Sequence, residues 1–387
     1  MNRTDKKYRL ETLAVHAGHQ IDEATGAVTE PIYLSTSFER DLDGGYERGY
    51  MYGRNRNPNR VALENALAAL EGAAIGAAFS SGVAATTAIF QNLAPGDHVI
   101  APMDGYYGTA NVLNHLFAKW GIQASFVDMT QIDAVRESLR PETRIIWVET
   151  PSNPLMRCAD IAALAELSRA HGARLVADNT FASPLMQHPL ELGCDLVAYS
   201  TTKYIGGRGD VLGGMVLSRL NDEHFSKIRA AQAFGGAVPS PFDCWLLMRS
   251  LPTLPQRMRA HCANAQRLAE FLEGDSLVTV VHYPGLQSNP YHALAKRQMS
   301  SFGGMLSFEI KGGKDAAMAL ASEVQLFTRA TSFGGVESLI EHHASIAGTL
   351  SKVPQGLLRI SAGIEHIDDL IDDLSSALDR VRGRRNV

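Results

Sequence analysis

Short apolar runs alternate with longer stretches of helical spacing along most of this chain. The strand-like runs are 98–100, 125–127, 145–148, 175–177, 196–199 and 214–217, and helical spacing covers 84–92, 133–139 and 161–171 between them. Such alternation predicts right-handed β-α-β units on a mostly parallel sheet, and hence an α/β fold. The pattern changes after a long helical stretch, 242–273. Beyond it, strand-like 305–310 and 356–360 alternate with helical 314–322 and 367–381, which predicts a smaller α+β unit.

The first part of the chain reads differently. Up to about Arg56 there are few helical repeats and many turn formers, such as Asp43-Gly44-Gly45 and Gly49. Asn57-Pro58 then supplies a helix cap with proline at the first helical position, Val61, Leu63, Leu67 and Leu70 form one stripe, and Gly72 ends it. The expected organisation is an extended arm over 1–56, a large domain over 57–256 and a small C-terminal domain over 257–387. A chain of 387 residues with 45% hydrophobic and 20% charged residues is that of an ordinary globular enzyme. Its formal net charge of −5 argues against nucleic acid or an anionic membrane as partner. No apolar run approaches the length of a membrane span, and Met1 to Lys7 carry no apolar leader core. Cys158, Cys194, Cys244 and Cys262 show neither a metal nor a disulfide spacing, so a reduced, cytoplasmic setting is expected.

Two strand ends carry the candidate chemistry. Lys203 lies in Tyr199-Ser200-Thr201-Thr202-Lys203-Tyr204-Ile205-Gly206-Gly207, and Asp178 follows the run 175–177 in Asp178-Asn179-Thr180. In open α/β sheets, ligands collect at such carboxyl ends. A lysine in a polar loop is usually only solvated. Here Ser200 and Thr202 can donate to a phosphate, and the glycines allow close backbone approach. A buried lysine with a lowered pKa serves as nucleophile and base, and a carboxylate keeps a pyridine nitrogen protonated. Amine, carboxylate and phosphate donors together are what pyridoxal 5'-phosphate (PLP) requires. The turn Phe79-Ser80-Ser81-Gly82-Val83 opens a helix, so the amides of Gly82 and Val83 can face an anion.

Four ordered motifs carry a closer resemblance. They are Tyr52-Gly53-Arg54-Asn55-Arg56-Asn57-Pro58, Glu149-Thr150-Pro151-Ser152-Asn153-Pro154, Ser200-Thr201-Thr202-Lys203-Tyr204 and Ser332-Phe333-Gly334-Gly335-Val336-Glu337-Ser338-Leu339. With them the chain, from about Leu13 onward, resembles the transsulfuration (Cys/Met-metabolism) family of PLP-dependent enzymes. The resemblance implies the PLP-dependent transferase fold of type I, with a mostly parallel seven-stranded sheet and a smaller α+β C-terminal domain. It implies that Lys203 and Tyr106 are catalytic, with Tyr106 stacked on the cofactor ring. Tyr52 and Arg54 would reach the phosphate of a neighbouring subunit, in a homotetramer built as a dimer of dimers with shared sites. Arg359 would clamp the substrate α-carboxylate, helped by Asn153 and Ser332. No metal is implied.

Departures from the family pattern bear on the substrate. Met51 stands where members that handle cystathionine often carry an acid, and Ala110-Asn111-Val112 where many carry an arginine. A distal zwitterion left without partners costs on the order of several kcal/mol. The cysteine of methionine γ-lyases is replaced by Tyr107-Gly108-Thr109, the tryptophan signature of bacterial β-lyases is missing at Phe333, and Arg208 fills a slot usually held by histidine. The expectation is therefore γ-elimination or γ-substitution on a homoserine-type amino acid: an O-acylhomoserine, or a methionine-like or canavanine-like compound. Cystathionine γ-synthase or γ-lyase chemistry is the alternative, and a non-catalytic PLP-binding regulator a more distant one. Arg208-Gly209-Asp210 and His342-His343 spell adhesion and metal motifs, but nothing around them supports either reading.

Overall fold

The computed structural model describes residues 8–346 and 353–385; the opening residues read above for a leader lie outside it. One sheet contains β1 (Ile75–Phe79), β2 (His98–Pro102), β3 (Gln123–Val127), β4 (Thr143–Glu149), β5 (Arg174–Asp178), β6 (Leu196–Ser200) and β7 (Gly214–Ser218). Its order is β1-β7-β6-β5-β4-β2-β3. Only β7 runs against its neighbours, β1 and β6; the other pairings are parallel. Central strands covered on both faces should read as unbroken apolar runs. In β5, Leu175 and Ala177 face one hydrophobic cluster while Val176 faces another on the opposite side. Because β7 turns straight back along β6, the segment between them needs no helix, and Lys203 sits in that tight connection.

The helix Pro58–Glu71 begins and ends as its sequence predicts. The Asn57 side chain accepts from the amides of Asn59 and Arg60, and Gly72 closes it in the left-handed region at φ 73°. β1 has no β-branched residue beyond Ile75, which hid it in the sequence. Its small residues answer to close packing: a Cβ on Gly76 would come within 2.7 Å of Leu217 Cδ2 and 3.2 Å of the Glu64 carbonyl oxygen.

A second sheet contains β8 (Val278–His282), β9 (Met305–Ile310), β10 (Thr328–Arg329), β11 (Leu339–His342) and β12 (Leu357–Ser361), in the order β10-β11-β12-β9-β8. β8 and the four-residue β11 went unrecognised in the sequence. Two expectations need correction. The arm carries a helix, Leu10–His16, whose Ala14 joins the main core. The stretch 242–273 is two helices, Pro241–Ser250 and Leu254–Glu273, joined by the 3₁₀ turn Leu251–Thr253. Pro252 and Pro255 lack the amide hydrogens a continuous helix would need there. The second of these helices belongs to both cores. Leu254, Met258 and Cys262 pack with the first sheet's cluster, whereas Ala265, Leu268, Ala269 and Leu272 pack with the second's. Among the described residues no helix is long and apolar enough to cross a membrane.

Leu268 is fully buried in this second cluster. Leu268→Ala is expected to lower the unfolding free energy by about 2–5 kcal/mol, read from denaturant midpoints of the holoprotein.

Candidate active site

The two sheets meet at a cavity of about 340 Å³. Gly82, Val83, Tyr106, Asn153, Asp178, Ser200, Thr202, Lys203, Ser332 and Arg359 all line it. Tyr52 and Arg54 do not. Tyr52 is largely exposed on the arm, with the Arg54 guanidinium 5.6 Å from its ring, and Arg54 donates to the Ala233 carbonyl at 2.9 Å. Met51, Asn111 and Arg208 are likewise exposed and outside the cavity of this chain.

Lys203 reaches across the seam. Its Nζ donates to Ser332 Oγ at 2.7 Å and lies 5.2 Å from the centre of the Phe333 ring. Burial, reinforced by the nearby Arg359 cation, pulls its pKa down to about 8, while Glu341 works the other way. Ser332 is held at φ 83°, a left-handed conformation costly for a serine. Its carbonyl accepts from Arg359 at 3.1 Å. Arg359 also donates to Asn153 Oδ1 at 2.7 Å and pairs with Glu341 at 2.9 Å. One strained residue thus holds both the lysine and the arginine.

Asp178 ends β5 opposite Glu149 in the parallel β4–β5 register. Glu149 is buried and Asp178 half-buried, and both have raised pKa values, Asp178 through desolvation and Glu149 through desolvation and then the charge of Asp178. Glu149 accepts the Tyr106 amide at 2.6 Å, fixing the start of the Tyr106 loop. Asp178 Oδ1 accepts from the amide and hydroxyl of Thr180 at 3.1 and 2.5 Å. Its Oδ2 makes no hydrogen bond among the described residues, which leaves an acceptor on the cavity wall suited to the N–H of a protonated pyridine. Tyr106 is 37% exposed, and its ring lies so close over Gly108 that a Cβ there would sit 2.2 Å from Cε1.

At the other end the helix Gly82–Phe90 begins, with the Ser81 side chain capping Ala84. A Cβ on Gly82 would press on Ser200 Cβ at 2.8 Å, so only glycine lets this helix start against the end of β6. Free amides at a helix N-terminus beside Ser200 suit a phosphate. The Thr202 hydroxyl is also engaged with both backbone groups of Gly213, at 3.0 and 3.3 Å.

Sequence reasoning missed Glu149, Thr180, Glu341 and His343. Glu149 stood inside a motif quoted for Asn153. Glu341 follows from strand alternation once β11 is recognised, whereas His343 lies just past the strand, at the start of the short helix His343–Ile346. The two adjacent histidines have different surroundings. His342 bonds Ser345 Oγ at 2.6 Å and the Gln355 carbonyl at 2.7 Å, whereas His343 lines the cavity.

This sheet order, with a lysine of lowered pKa beyond β6 and an aspartate ending β5 on the cavity wall, defines a PLP-dependent enzyme of fold type I. The chain belongs to the Cys/Met metabolism PLP-dependent enzymes, whose family model matches residues 11–379. It is 50% identical to cystathionine γ-synthase of Mycobacterium tuberculosis over 374 residues, covering 95% of this chain and 96% of that protein. It is 45% identical to cystathionine γ-lyase of Dictyostelium discoideum, covering 96% of this chain and 98% of that one. The crystal structure of metB from Corynebacterium glutamicum superposes with a TM-score of 0.94 at 44% identity, covering 97% of this chain and 99% of that one.

In the cofactor-free protein, a pKa of about 8 leaves Lys203 uncharged above that pH, whereas an ordinary lysine stays protonated to about 10.4. Labelling by an amine-selective reagent, mapped by mass spectrometry, is expected to show a midpoint for Lys203 about two pH units below that of exposed lysines.

Proposed function

We propose that this protein carries out γ-replacement or γ-elimination on a homoserine-type amino acid, with an O-acylhomoserine as donor and cysteine as the natural acceptor. The supporting observation is the Lys203–Ser332–Arg359 arrangement. It anchors an α-carboxylate beside a base at one part of the cavity and leaves Tyr107, Leu212, Thr331, His343 and Ile346 around the remainder for a γ-substituent. The names of the relatives favour cystathionine as product, which joins the two readings drawn from the sequence.

PLP, when bound, supplies the electron sink for bonds broken at Cα. Asp178 Oδ2 would hold the proton of its pyridine nitrogen. The amides of Gly82 and Val83, with the hydroxyls of Ser200 and Thr202, would hold its phosphate, and Tyr106 would cover its ring. Arg359 binds the substrate carboxylate bidentately, its plane fixed by Asn153 and the Ser332 carbonyl. Lys203 Nζ, its pKa drawn down to about 8, takes the Cα proton and then serves Cβ, with Tyr106 Oη as its companion in proton transfer. Tyr52 and Arg54, pointing away from this chain's cavity, would complete the phosphate site of a partner in a dimer of dimers. Met51 sits beside Tyr52, so its influence also falls on the partner's cavity and does not exclude cystathionine here. Four buried, free cysteines suit a reducing cytoplasm.

Mass spectrometry of products tests the reaction. O-acetyl- or O-succinylhomoserine with cysteine should give cystathionine, and without cysteine 2-oxobutanoate; pyruvate alone, from β-substituted substrates, would remove the reading. Chain sharing has its own test. Lys203→Ala and Tyr52→Phe chains, each poorly active alone, should regain activity when co-expressed, because hybrid dimers carry one intact site.

A further inference from the structure

His343 is an ionisable group in the cavity that the steps above leave unused. Glu341 on β11 is the register partner of Arg359 on β12, so the two side chains share a face. His343 lies just past β11, at the start of the short helix His343–Ile346, and its side chain turns back to Glu341, whereas His342 bonds Ser345 and the Gln355 carbonyl. Its Nδ1 lies 2.7 Å from Glu341 Oε1, the same oxygen that pairs with Arg359. A carboxylate only accepts, so Nδ1 carries the hydrogen and the ring is held in one orientation. Nε2 makes no hydrogen bond among the described residues, although His343 is only 8% exposed and lines the cavity.

We propose that His343 is the proton carrier for the γ-substituent of the substrate, an inference that rests on the γ-chemistry proposed above. As the Cγ–X bond breaks, the electron pair stays on X and the Nε2 proton of the imidazolium passes to X. A basic leaving group such as a thiolate departs as HX and His343 becomes neutral, whereas a carboxylate departs as the anion. In replacement, an incoming thiol forms its S–Cγ bond and returns its proton to Nε2; in elimination, solvent water does so. Glu341 holds the ring by accepting from Nδ1. Arg359 and Lys203, the other basic groups of the cavity, remain at the α-carboxylate and Cα.

Leaving groups separate this role from a structural one. A carboxylate, the conjugate base of an acid of pKa about 4, leaves without a proton, whereas a thiolate, from a thiol of pKa about 8.5, leaves poorly without one. His343→Ala holoenzyme is expected to lose about 10²-fold in kcat with a thioether such as cystathionine, yet to stay within about threefold of wild type in elimination from O-acetylhomoserine without added thiol, where the carboxylate takes no proton from Nε2. Equal losses on both substrates, or no loss on either, would overturn the proposal. Placement is checked on the wild-type holoenzyme without turnover, by carbethoxylation with diethyl pyrocarbonate mapped by mass spectrometry. Modification of His343 should be suppressed by norleucine, which fills the γ-position, and unaffected by glycine, which has no γ atoms. Protection by both amino acids or by neither would place the ring elsewhere and overturn the proposal. Failure of the γ-chemistry itself would show separately, as wild-type enzyme that forms pyruvate only.

Discussion

A buried cation has to be paired, and Arg359 is the cation on which this cleft depends. It is 5% exposed and has bonds to Asn153, to the Ser332 carbonyl and to Glu341. Asn153 follows β4 of the seven-stranded sheet, while Ser332 and Glu341 belong to the five-stranded side. Satisfying one guanidinium therefore ties the two sheets together. The cost of desolvating that charge without partners, several kcal/mol, far exceeds any single packing contact at the seam. Its geometry also sets that of Lys203, which shares Ser332.

The remaining charges follow from the same low dielectric. Two carboxyls side by side at the ends of β4 and β5 disfavour each other's ionisation, so Asp178 and Glu149 are poised to gain from a cationic ring brought between them and the lysine. Lys203, destabilised as a cation by burial and by Arg359, becomes a base near neutral pH. One cluster thus sets the protonation of both carboxyls and of the lysine.

Much of this was legible in the sequence where chemistry and local geometry coincide. Lys203, Asp178 and the Gly82 turn all sit at strand ends whose apolar runs are unmistakable, and Asn57 and Gly72 carry explicit capping signals. What escaped did so for physical reasons. β1 is built of Gly76, Ala77 and Ala78 because a helix and β7 crowd it, and small residues carry no strand signature. β11 spans four residues, too few for alternation to stand out, so Glu341 was not placed on the Arg359 face. The long helical stretch read as one because periodicity passes through Pro252 and Pro255, whose missing amides matter only to the hydrogen-bond ladder. Tyr52 and Arg54 rested on resemblance; within one chain nothing brings them to the cavity.

The helix Leu254–Glu273 has a mechanical consequence. Its 20 residues make a rod of roughly 30 Å, anchored at one end in the first core and at the other in the second. Swinging the five-stranded sheet away from the cofactor would need either bending that rod or prying one half from its core. The natural pivot is the 3₁₀ joint Leu251–Thr253 at its base, where the helical ladder is already interrupted by proline. Movement there would carry Arg359 and Ser332 as one rigid unit, so the guanidinium and the lysine's hydrogen-bond partner would shift together.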